Sequence, residues 1–270
     1  MGINKTMAKY LAKNKNILNF KGSLLTLGRQ DIGVSYKELN EIGITDVISD
    51  SYPTDQDFFK MLGFEKVDSL EHNLMDNATI AHDLNEPLPS ELFSRFDWVL
   101  DGGTLEHCFN VKEFMFSMIK LLKPGGSILH INPSLGCSNH GLFNFQPTFY
   151  FSFYRANKFQ NSKCDLLEMQ SKTSDLFIDK NIKARVIPIN NFNNLDFATI
   201  NPVYNVFYSN KPSELNLDQI KMPIQEFYYE IFKEKEKVNG GMIEENLYNK
   251  IVGNIKENNS EEILKNAYFL

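Results

Sequence analysis

The sequence predicts an α/β protein built around a mostly parallel sheet. Short β-rich runs alternate with helical patterns from about residue 20 to residue 211, which is typical of this class. Residues 96–132 show the pattern strand, helix, strand, and such a crossover is right-handed in nearly all proteins. The composition, 42% hydrophobic and 23% charged over 270 residues, indicates a globular chain that can bury a large core.

Strands are predicted where short apolar or β-branched runs end at a turn or a polar residue. In chain order these runs are 23–27, 66–70, 78–82, 96–100, 127–133, 184–189 and 203–208. A helix around 55–62 precedes the second run. The crossover helix after the fourth run has Asn110 as its expected N-cap and Glu113 three residues on, where it can reach back. Pro124-Gly125-Gly126 is expected to end it.

The pattern divides the chain into three parts. Residues 1–20 are expected to form an N-terminal helical segment and 21–211 the main domain. Residues 212–270 are charged and helical in pattern, so we expect a helical C-terminal extension there. Its best helix is 228–237, which Gly240-Gly241 ends.

Charge and cysteine usage exclude several classes of protein. The formal net charge is −6 and the isoelectric point is near 5.5, so a nucleic-acid partner is not expected. Three separated cysteines argue against a disulfide framework and against a zinc site, which favours a reducing, cytoplasmic location. No apolar run is long enough for a transmembrane helix, so no membrane partner is expected either. A homo-oligomer is compatible with the sequence.

Ligand chemistry is expected where the predicted strands end, because parallel sheets bind ligands beyond their carboxyl ends. The residues at these ends are Gly28, Glu71, Asp83 and Asp101-Gly102-Gly103. One glycine and three carboxylates at one edge suit a ligand that carries an amine, a ribose diol and an adenine, since all of these offer hydrogen-bond donors.

Several motifs here resemble those of class I S-adenosylmethionine-dependent methyltransferases. They are 101–107 (DGGTLEH), 122–126 (LKPGG) and 78–85 (ATIAHDLN), while 139–141 (NHG) with 145–147 (FQP) resembles a small-molecule subgroup. The resemblance spans about residues 20–211. It implies a Rossmann-like sheet of seven strands with the last antiparallel, helices on both faces, and S-adenosylmethionine as cofactor.

The resemblance also implies roles for individual residues. Glu71 would accept hydrogen bonds from the ribose hydroxyls. Asp83 would hold the adenine amine, with the Leu84 backbone at the ring edge. Asp101 and Gly102 would line the amino end of the cofactor near its sulfonium.

The first loop departs from the family pattern of closely spaced glycines, because it has the sequence GRQDIG over 28–33. Gly28 would still let the backbone approach the methionine part of the cofactor. Either Arg29 and Gln30 replace backbone contacts with side-chain contacts, Arg29 meeting the methionine carboxylate, or cofactor binding is weakened. The same run has P-loop spacing, but Val34 stands where the phosphate-binding lysine belongs.

Other cofactor classes have less support. No GxGxxG follows a predicted strand, so a nicotinamide enzyme is not favoured. No HExxH or Cys/His cluster is present, and no metal site is expected.

Two histidines are the candidate catalytic residues. His140 lies in a polar loop after the strand 127–133, where the substrate sites of the family lie, and His107 follows the DGG turn. Either ring can take a proton near neutral pH, although His107 has an alternative role in bracing its loop. His82 and His130 are expected inside strands.

The carboxylates and the aromatic residues also have interpretations that involve no ligand. Glu71 and Asp83 are alternatively helix caps or loop residues, and Asp101 alternatively caps its turn. The aromatic run over 143–154 either lines a substrate pocket or packs as a helix in the core.

The expected reaction is methyl transfer to an oxygen or nitrogen of a small polar metabolite, such as a sugar or a cell-surface precursor. Two rivals stay open: a nucleic-acid or protein methyltransferase on the same fold, and a non-catalytic protein that binds the cofactor or a partner.

Overall fold

The computed structural model describes residues 2–74, 78–171, 182–189, 198–225, 228 and 260–270. The helices are α1 (Lys5–Leu18), α2 (Tyr36–Glu41), α3 (Asp55–Met61), α4 (Val111–Leu121), α5 (Pro147–Ala156) and α6 (Ser260–Lys265). The strands are β1 (Gly2–Ile3), β2 (Ser23–Leu27), β3 (Asp31–Ile32), β4 (Lys66–Glu71), β5 (Ile80–Ala81), β6 (Phe96–Asp101), β7 (Leu122–Leu135), β8 (Gln160–Gln170), β9 (Lys183–Ile189), β10 (Val203–Asn210) and β11 (Tyr268–Phe269).

Nine of the described strands form one sheet, in the order β11-β9-β8-β10-β7-β6-β2-β4-β5. The five strands from β5 to β7 are parallel, whereas β10 is antiparallel to both β7 and β8. The expected count of seven strands is wrong for the described part of the chain, because β9 and β11 extend the sheet beyond β8. The strands from β5 to β8 nevertheless form a seven-stranded unit whose last strand in the chain, β10, is the antiparallel one.

Helices cover both faces of this sheet because its strands alternate their apolar side chains. Leu25 and Val99 point into a cluster that contains the apolar side chains of α4 and α5, such as Phe114 and Tyr150. Leu24 and Trp98 belong to a second cluster, which contains apolar side chains of α1, α2 and α3. The expected aromatic run thus forms helix α5 and its preceding loop, and most of it packs in the first cluster.

The crossover helix α4 begins as expected and ends early. The Asn110 side chain accepts a hydrogen bond from the backbone of Glu113 at 3.3 Å, which confirms the predicted N-cap. The helix ends at Leu121, and the Pro124-Gly125-Gly126 segment is already part of β7. The buried Lys211 ammonium closes the helix end by donating to the carbonyls of Ile119 at 2.8 Å and Leu122 at 2.6 Å.

The two ends of the chain carry most of the other differences. Helix α1 lies within the N-terminal segment 1–20 for which a helix was expected. Of the helix expected over 228–237, only Tyr228 lies within the described residues. The described end of the chain forms α6 and then β11, which adds a strand to the sheet instead of a purely helical extension. None of the helices in the described ranges is long and apolar enough to span a bilayer.

Candidate active site

The carboxyl ends of the parallel strands bring the sequence-predicted residues to one edge of the sheet. Gly28 follows β2, Glu71 ends β4, and Asp83 lies two residues beyond β5. Asp101 ends β6, and the loop after β7 carries His140. Because β5, β4, β2, β6 and β7 are consecutive neighbours, these ends form one continuous surface.

The loop after β2 turns sharply at Gly28, whose φ of +78° lies in the left-handed region that favours glycine. Its amide donates to the Leu70 carbonyl at 2.8 Å. A side chain there would meet the Thr104 hydroxyl at 2.5 Å, and that hydroxyl is held by its own hydrogen bond to the Leu27 carbonyl at 2.6 Å. The backbone at Gly28 therefore comes close to the turn after β6.

Glu71 holds this loop in place. Its carboxylate oxygen Oε1 accepts a hydrogen bond from the backbone amide of Arg29 at 2.7 Å. The Arg29 side chain lies 3.7 Å from the buried carboxylate of Asp55, at the start of α3. The structure therefore places Arg29 in an ion pair with α3, rather than leaving its charge to a ligand alone.

Gln30 is buried between the two glycines of the edge. Its exposed fraction is 2%, and its side-chain amide donates to the Gly28 carbonyl at 3.0 Å. Within the described ranges the amide oxygen Oε1 has no hydrogen-bond partner, and it lies directly against Gly102, where any added Cβ would collide with it. A buried acceptor without a donor is costly, so this oxygen is suited to a ligand that brings one.

The Asp83 carboxylate is held by hydrogen bonds within its own loop. One carboxylate oxygen accepts hydrogen bonds from the backbone and side chain of Asn85, both at 2.9 Å. These bonds, the backbone one first, lower the pKa of Asp83 below its ordinary value. The other oxygen lies 3.6 Å from the exposed His72 ring, and Leu84 beside it is buried.

Asp101 is buried completely and its carboxylate is fully hydrogen-bonded within the protein. One oxygen accepts from the backbone amides of Thr104 at 2.9 Å and Leu105 at 3.2 Å, so Asp101 does cap its turn. The other oxygen contacts His130 Nδ1 at 2.8 Å and accepts from the Asn132 amide at 2.9 Å. Any role of Asp101 at the ligand therefore passes through the turn that it holds.

Glu106 is the second buried carboxylate of this network. Its Oε2 atom accepts from the Asn132 amide at 3.0 Å, whereas Oε1 has no hydrogen-bond partner in the part of the chain that the structure describes. Burial, followed by the nearby charge of Asp101, raises the pKa of Glu106 to about 7. The amide oxygen of Asn132 is held by the Tyr150 hydroxyl at 2.8 Å, so the donor to Glu106 is fixed in orientation.

The two candidate histidines come together beside Glu106. Glu106 Oε1 lies 4.0 Å from His107 Nε2 and 3.8 Å from His140 Nε2, and the ring centres are 5.4 Å apart. Both rings are about half exposed. Burial and the neighbouring His140 lower the pKa of His107.

The loop after β7 is pinned against the turn after β6. The Leu142 amide donates to the Glu106 carbonyl at 2.7 Å. Gly141 lies so close that an added Cβ would be 2.8 Å from the same carbonyl oxygen. A glycine at this position therefore allows His140 to approach Glu106.

Sequence reasoning missed the support behind this cluster. His130 and Asn132 lie two residues apart on β7, so they share one side of the strand. The register pairs His130 with Asp101 across β6 and β7, and the far ring nitrogen of His130 meets the Tyr154 hydroxyl at 2.7 Å. The available signal was two polar residues that alternate with apolar ones over residues 128–133.

The other histidines are placed differently from one another. His130 is buried in a strand, as predicted, but the prediction for His82 is wrong, because it lies beyond the end of β5 and is only half-buried.

Comparison with known proteins finds likeness in structure alone. Neither a family model nor a curated protein sequence matches the chain. Among solved structures, TehB from Haemophilus influenzae aligns with a TM-score of 0.42 and 13% identity, over 75% of this chain and 61% of TehB. A SAM-dependent methyltransferase from Archaeoglobus fulgidus aligns with a TM-score of 0.43 and 10% identity, over 75% of this chain and 93% of that one. The 1,6-didemethyltoxoflavin-N1-methyltransferase of Burkholderia thailandensis, solved with S-adenosylhomocysteine, aligns with a TM-score of 0.40 and 15% identity, over 77% and 79%.

Proposed function

We propose that the protein transfers a methyl group from S-adenosylmethionine to an oxygen or nitrogen of a small polar acceptor. One observation carries this proposal: acceptor oxygens of Gln30, Glu71 and Asp83 follow three neighbouring strands along a single edge. The cofactor offers donors in the same order, namely an ammonium group, a ribose diol and an adenine amine. Matching charged and neutral acceptors to these donors is how a site of this kind gains affinity and orientation.

The methionine end of the cofactor belongs next to Gly28 and Gly102. The unpartnered Gln30 oxygen over Gly102 accepts a hydrogen bond from the ammonium group. Asp101 acts from behind, because its carboxylate holds the backbone amides of the turn that follows Gly102. Arg29 contributes chiefly through its backbone amide, which fixes Glu71.

The ribose and adenine belong at the ends of β4 and β5. Glu71 uses one oxygen for the loop after β2 and has a second oxygen for a ribose hydroxyl. Asp83 keeps the oxygen that faces His72 for the adenine amine, with the Leu84 backbone at the ring edge.

The acceptor belongs on the Glu106, His107 and His140 side of the same edge. Methyl transfer is an in-line displacement, so the residues must align the acceptor, exclude water and remove a proton where the acceptor is a hydroxyl. His140 takes that proton, and His107 is the rival for this role. The negative net charge favours a metabolite, such as a sugar or a cell-surface precursor, over a nucleic acid.

The cofactor assignment is tested by calorimetric titration of S-adenosylmethionine into the Glu71→Ala variant. Removing charge-assisted hydrogen bonds worth roughly 1.5–3 kcal/mol should raise the dissociation constant by about one to two decades. Glu65→Ala is the matched control, since Glu65 is an exposed carboxylate just before the opposite end of β4. Equal affinity of a folded Glu71→Ala variant and the parent would exclude the assignment.

The alternative that the first loop weakens cofactor binding has one observation in its favour. The Gln30 side chain fills the space over Gly102 that a methionine chain would approach. If the Gln30 side chain blocks the cofactor, Gln30→Ala should bind it more tightly than the parent. The hydrogen bond from Gln30 to the ammonium group instead predicts several-fold weaker binding in this variant. The direction of the change in cofactor affinity therefore distinguishes a blocking role of Gln30 from a binding role.

A further inference from the structure

We propose that Glu106, His107 and His140 form a binding site for a divalent first-row transition metal ion. The cluster offers two imidazole nitrogens and one carboxylate oxygen, and these atoms all lie within 4.8 Å of one another. Two histidines and one carboxylate are a ligand set that proteins use for Zn²⁺ and Fe²⁺. The site reverses the expectation from sequence that no metal is bound.

The strongest evidence is the unpartnered oxygen of Glu106. The Glu106 side chain is fully buried, and its Oε1 atom receives no hydrogen bond from the described residues although it faces both histidine rings. A buried carboxylate is stable only when it is paired, protonated or bound to a metal. A cation between this oxygen and the two rings supplies the missing partner.

The geometry needs only a small closure around the ion. Ligand atoms bonded at roughly 2.0–2.2 Å in a tetrahedral site are about 3.4 Å apart. Glu106 Oε1 is 3.8 Å from His140 Nε2 and 4.0 Å from His107 Nε2. The two half-exposed rings can cover this difference by small rotations.

The supporting hydrogen bonds are already those of a built site. Glu106 Oε2 is held by the Asn132 amide at 3.0 Å, and Asn132 is held in turn by Asp101 at 2.9 Å and by the Tyr150 hydroxyl at 2.8 Å. Such outer hydrogen bonds orient a metal ligand and fix which of its oxygens faces the ion. The Glu106 carboxylate can therefore anchor the ion while the histidines close on it.

The ligand chemistry also selects the class of ion. Nitrogen-rich sites suit Zn²⁺, Fe²⁺, Co²⁺ and Ni²⁺, whereas Mg²⁺ and Ca²⁺ prefer oxygen ligands alone. Three protein ligands leave at least one coordination position open. If the proposed methyl transfer is right, an acceptor hydroxyl bound at that position would have a lowered pKa and would lose its proton to solvent, and His140 would then be a ligand rather than the proton acceptor.

The test is direct metal binding to the full chain, without cofactor or acceptor. Metal-free protein is titrated with Zn²⁺ by calorimetry and with Co²⁺ by visible absorption, which reports nitrogen and oxygen ligation. We expect one ion per chain, and at least tenfold weaker binding in Glu106→Gln, His107→Ala and His140→Ala. Glu106→Gln keeps an acceptor for Asn132, so it is the variant least exposed to a folding defect.

The matched control is His72→Ala, which removes an exposed histidine beside another carboxylate, Asp83, and should leave the affinity unchanged. Parent-like affinity of folded Glu106→Gln and His140→Ala, or absence of binding to the parent at micromolar Zn²⁺, would overturn the proposal. Cofactor affinity is measured separately in the presence of a chelator. Metal binding without cofactor binding would leave this site standing and remove the proposed function, and the reverse result would do the opposite.

Discussion

The carboxylates at the two edges of the sheet differ in their hydrogen-bond partners and in the direction in which their pKa values are shifted. At the amino-end edge, one Asp97 oxygen accepts from the Ser23 amide at 2.8 Å, the Ser23 hydroxyl at 2.6 Å and the Lys123 ammonium at 2.8 Å. Burial raises the pKa of Asp97, but the hydrogen bonds from Lys123 and Ser23 outweigh this effect and lower it to about 2. At the carboxyl-end edge, the pKa of Glu106 is raised to about 7, and one of its oxygens has no hydrogen-bond partner among the residues that the structure describes.

This difference distinguishes an edge whose carboxylate has its partners within the protein from the edge that carries the candidate site. A cavity of about 470 Å³ lies at the amino-end edge, beside Asp97, Gly126 and Tyr208. The carboxylate there already has its partners, so the cavity volume does not by itself indicate chemistry. The carboxyl-end edge carries oxygens of Gln30 and Glu106 that have no hydrogen-bond partner among the described residues, and such oxygens are suited to a ligand.

The largest expected effect falls on the carboxyl-end edge, at His140. Loss of a general base typically lowers the rate by ~10²–10⁴-fold. We expect a loss of the same order if His140 is instead a ligand of the proposed metal ion. His140→Ala should therefore lower turnover of a true acceptor by that order, while calorimetry shows nearly parental cofactor affinity. If His107→Ala abolishes turnover and His140→Ala does not, the roles of the two histidines are reversed.

The next effect concerns the turn at Gly28. A valine there has to adopt a φ of +78° and place its Cβ 2.5 Å from the Thr104 hydroxyl, so the turn must shift. Gly28→Val should lose measurable affinity for S-adenosylmethionine, whereas Gly33→Ala in the same loop should retain most of it. Circular dichroism checks that both variants are folded. Equal binding by both would show that this is not the cofactor loop.

The elements that the sequence predicted well depend on local signals. The run 23–27 coincides with β2, and the expected helix around 55–62 is α3, because apolar spacing and caps act over a few residues. The N-cap at Asn110 is local in the same sense. Strand β8 was missed because its first half is polar and mostly exposed. Strand β11 was missed because two residues are too few to show an alternation of apolar and polar side chains.

The site was predicted as a set of strand ends but not as a set of contacts. Parallel topology alone places Gly28, Glu71 and Asp83 at one edge. The contact between Glu106 and His140 depends on the pairing of β6 with β7 and on the close approach at Gly141. These are tertiary facts, because the two residues come from different loops and neither loop carries a metal-binding spacing.

A smaller effect is expected on stability, from the raised pKa of Glu106. Between the ordinary value of 4.5 and about 7 the folded state holds a proton that the unfolded state releases, so stability falls as pH rises through this window. Glu106→Gln should remove this fall and be more stable than the parent at pH 8 by about 1–3 kcal/mol. Urea unfolding at pH 5 and pH 8, with a chelator present, measures it. A stability difference between parent and Glu106→Gln that does not grow from pH 5 to pH 8 would contradict the assignment.

The smallest effect is expected at the amino-end edge, at Asp97. Its pKa lies below the ordinary value of 3.8, so the stabilisation is complete above about pH 4 and is lost as pH falls through about 2. The Asp97 side chain is 39% exposed, so solvent screening limits the contribution to less than about 1 kcal/mol. Asp97→Asn should therefore lower the free energy of unfolding slightly at pH 7 and flatten its loss in acid, while the affinity for S-adenosylmethionine stays parental. A large loss of cofactor affinity in this variant would contradict the separation of the two edges. A change among the paired charges at the amino ends of the strands would then control cofactor binding at their carboxyl ends.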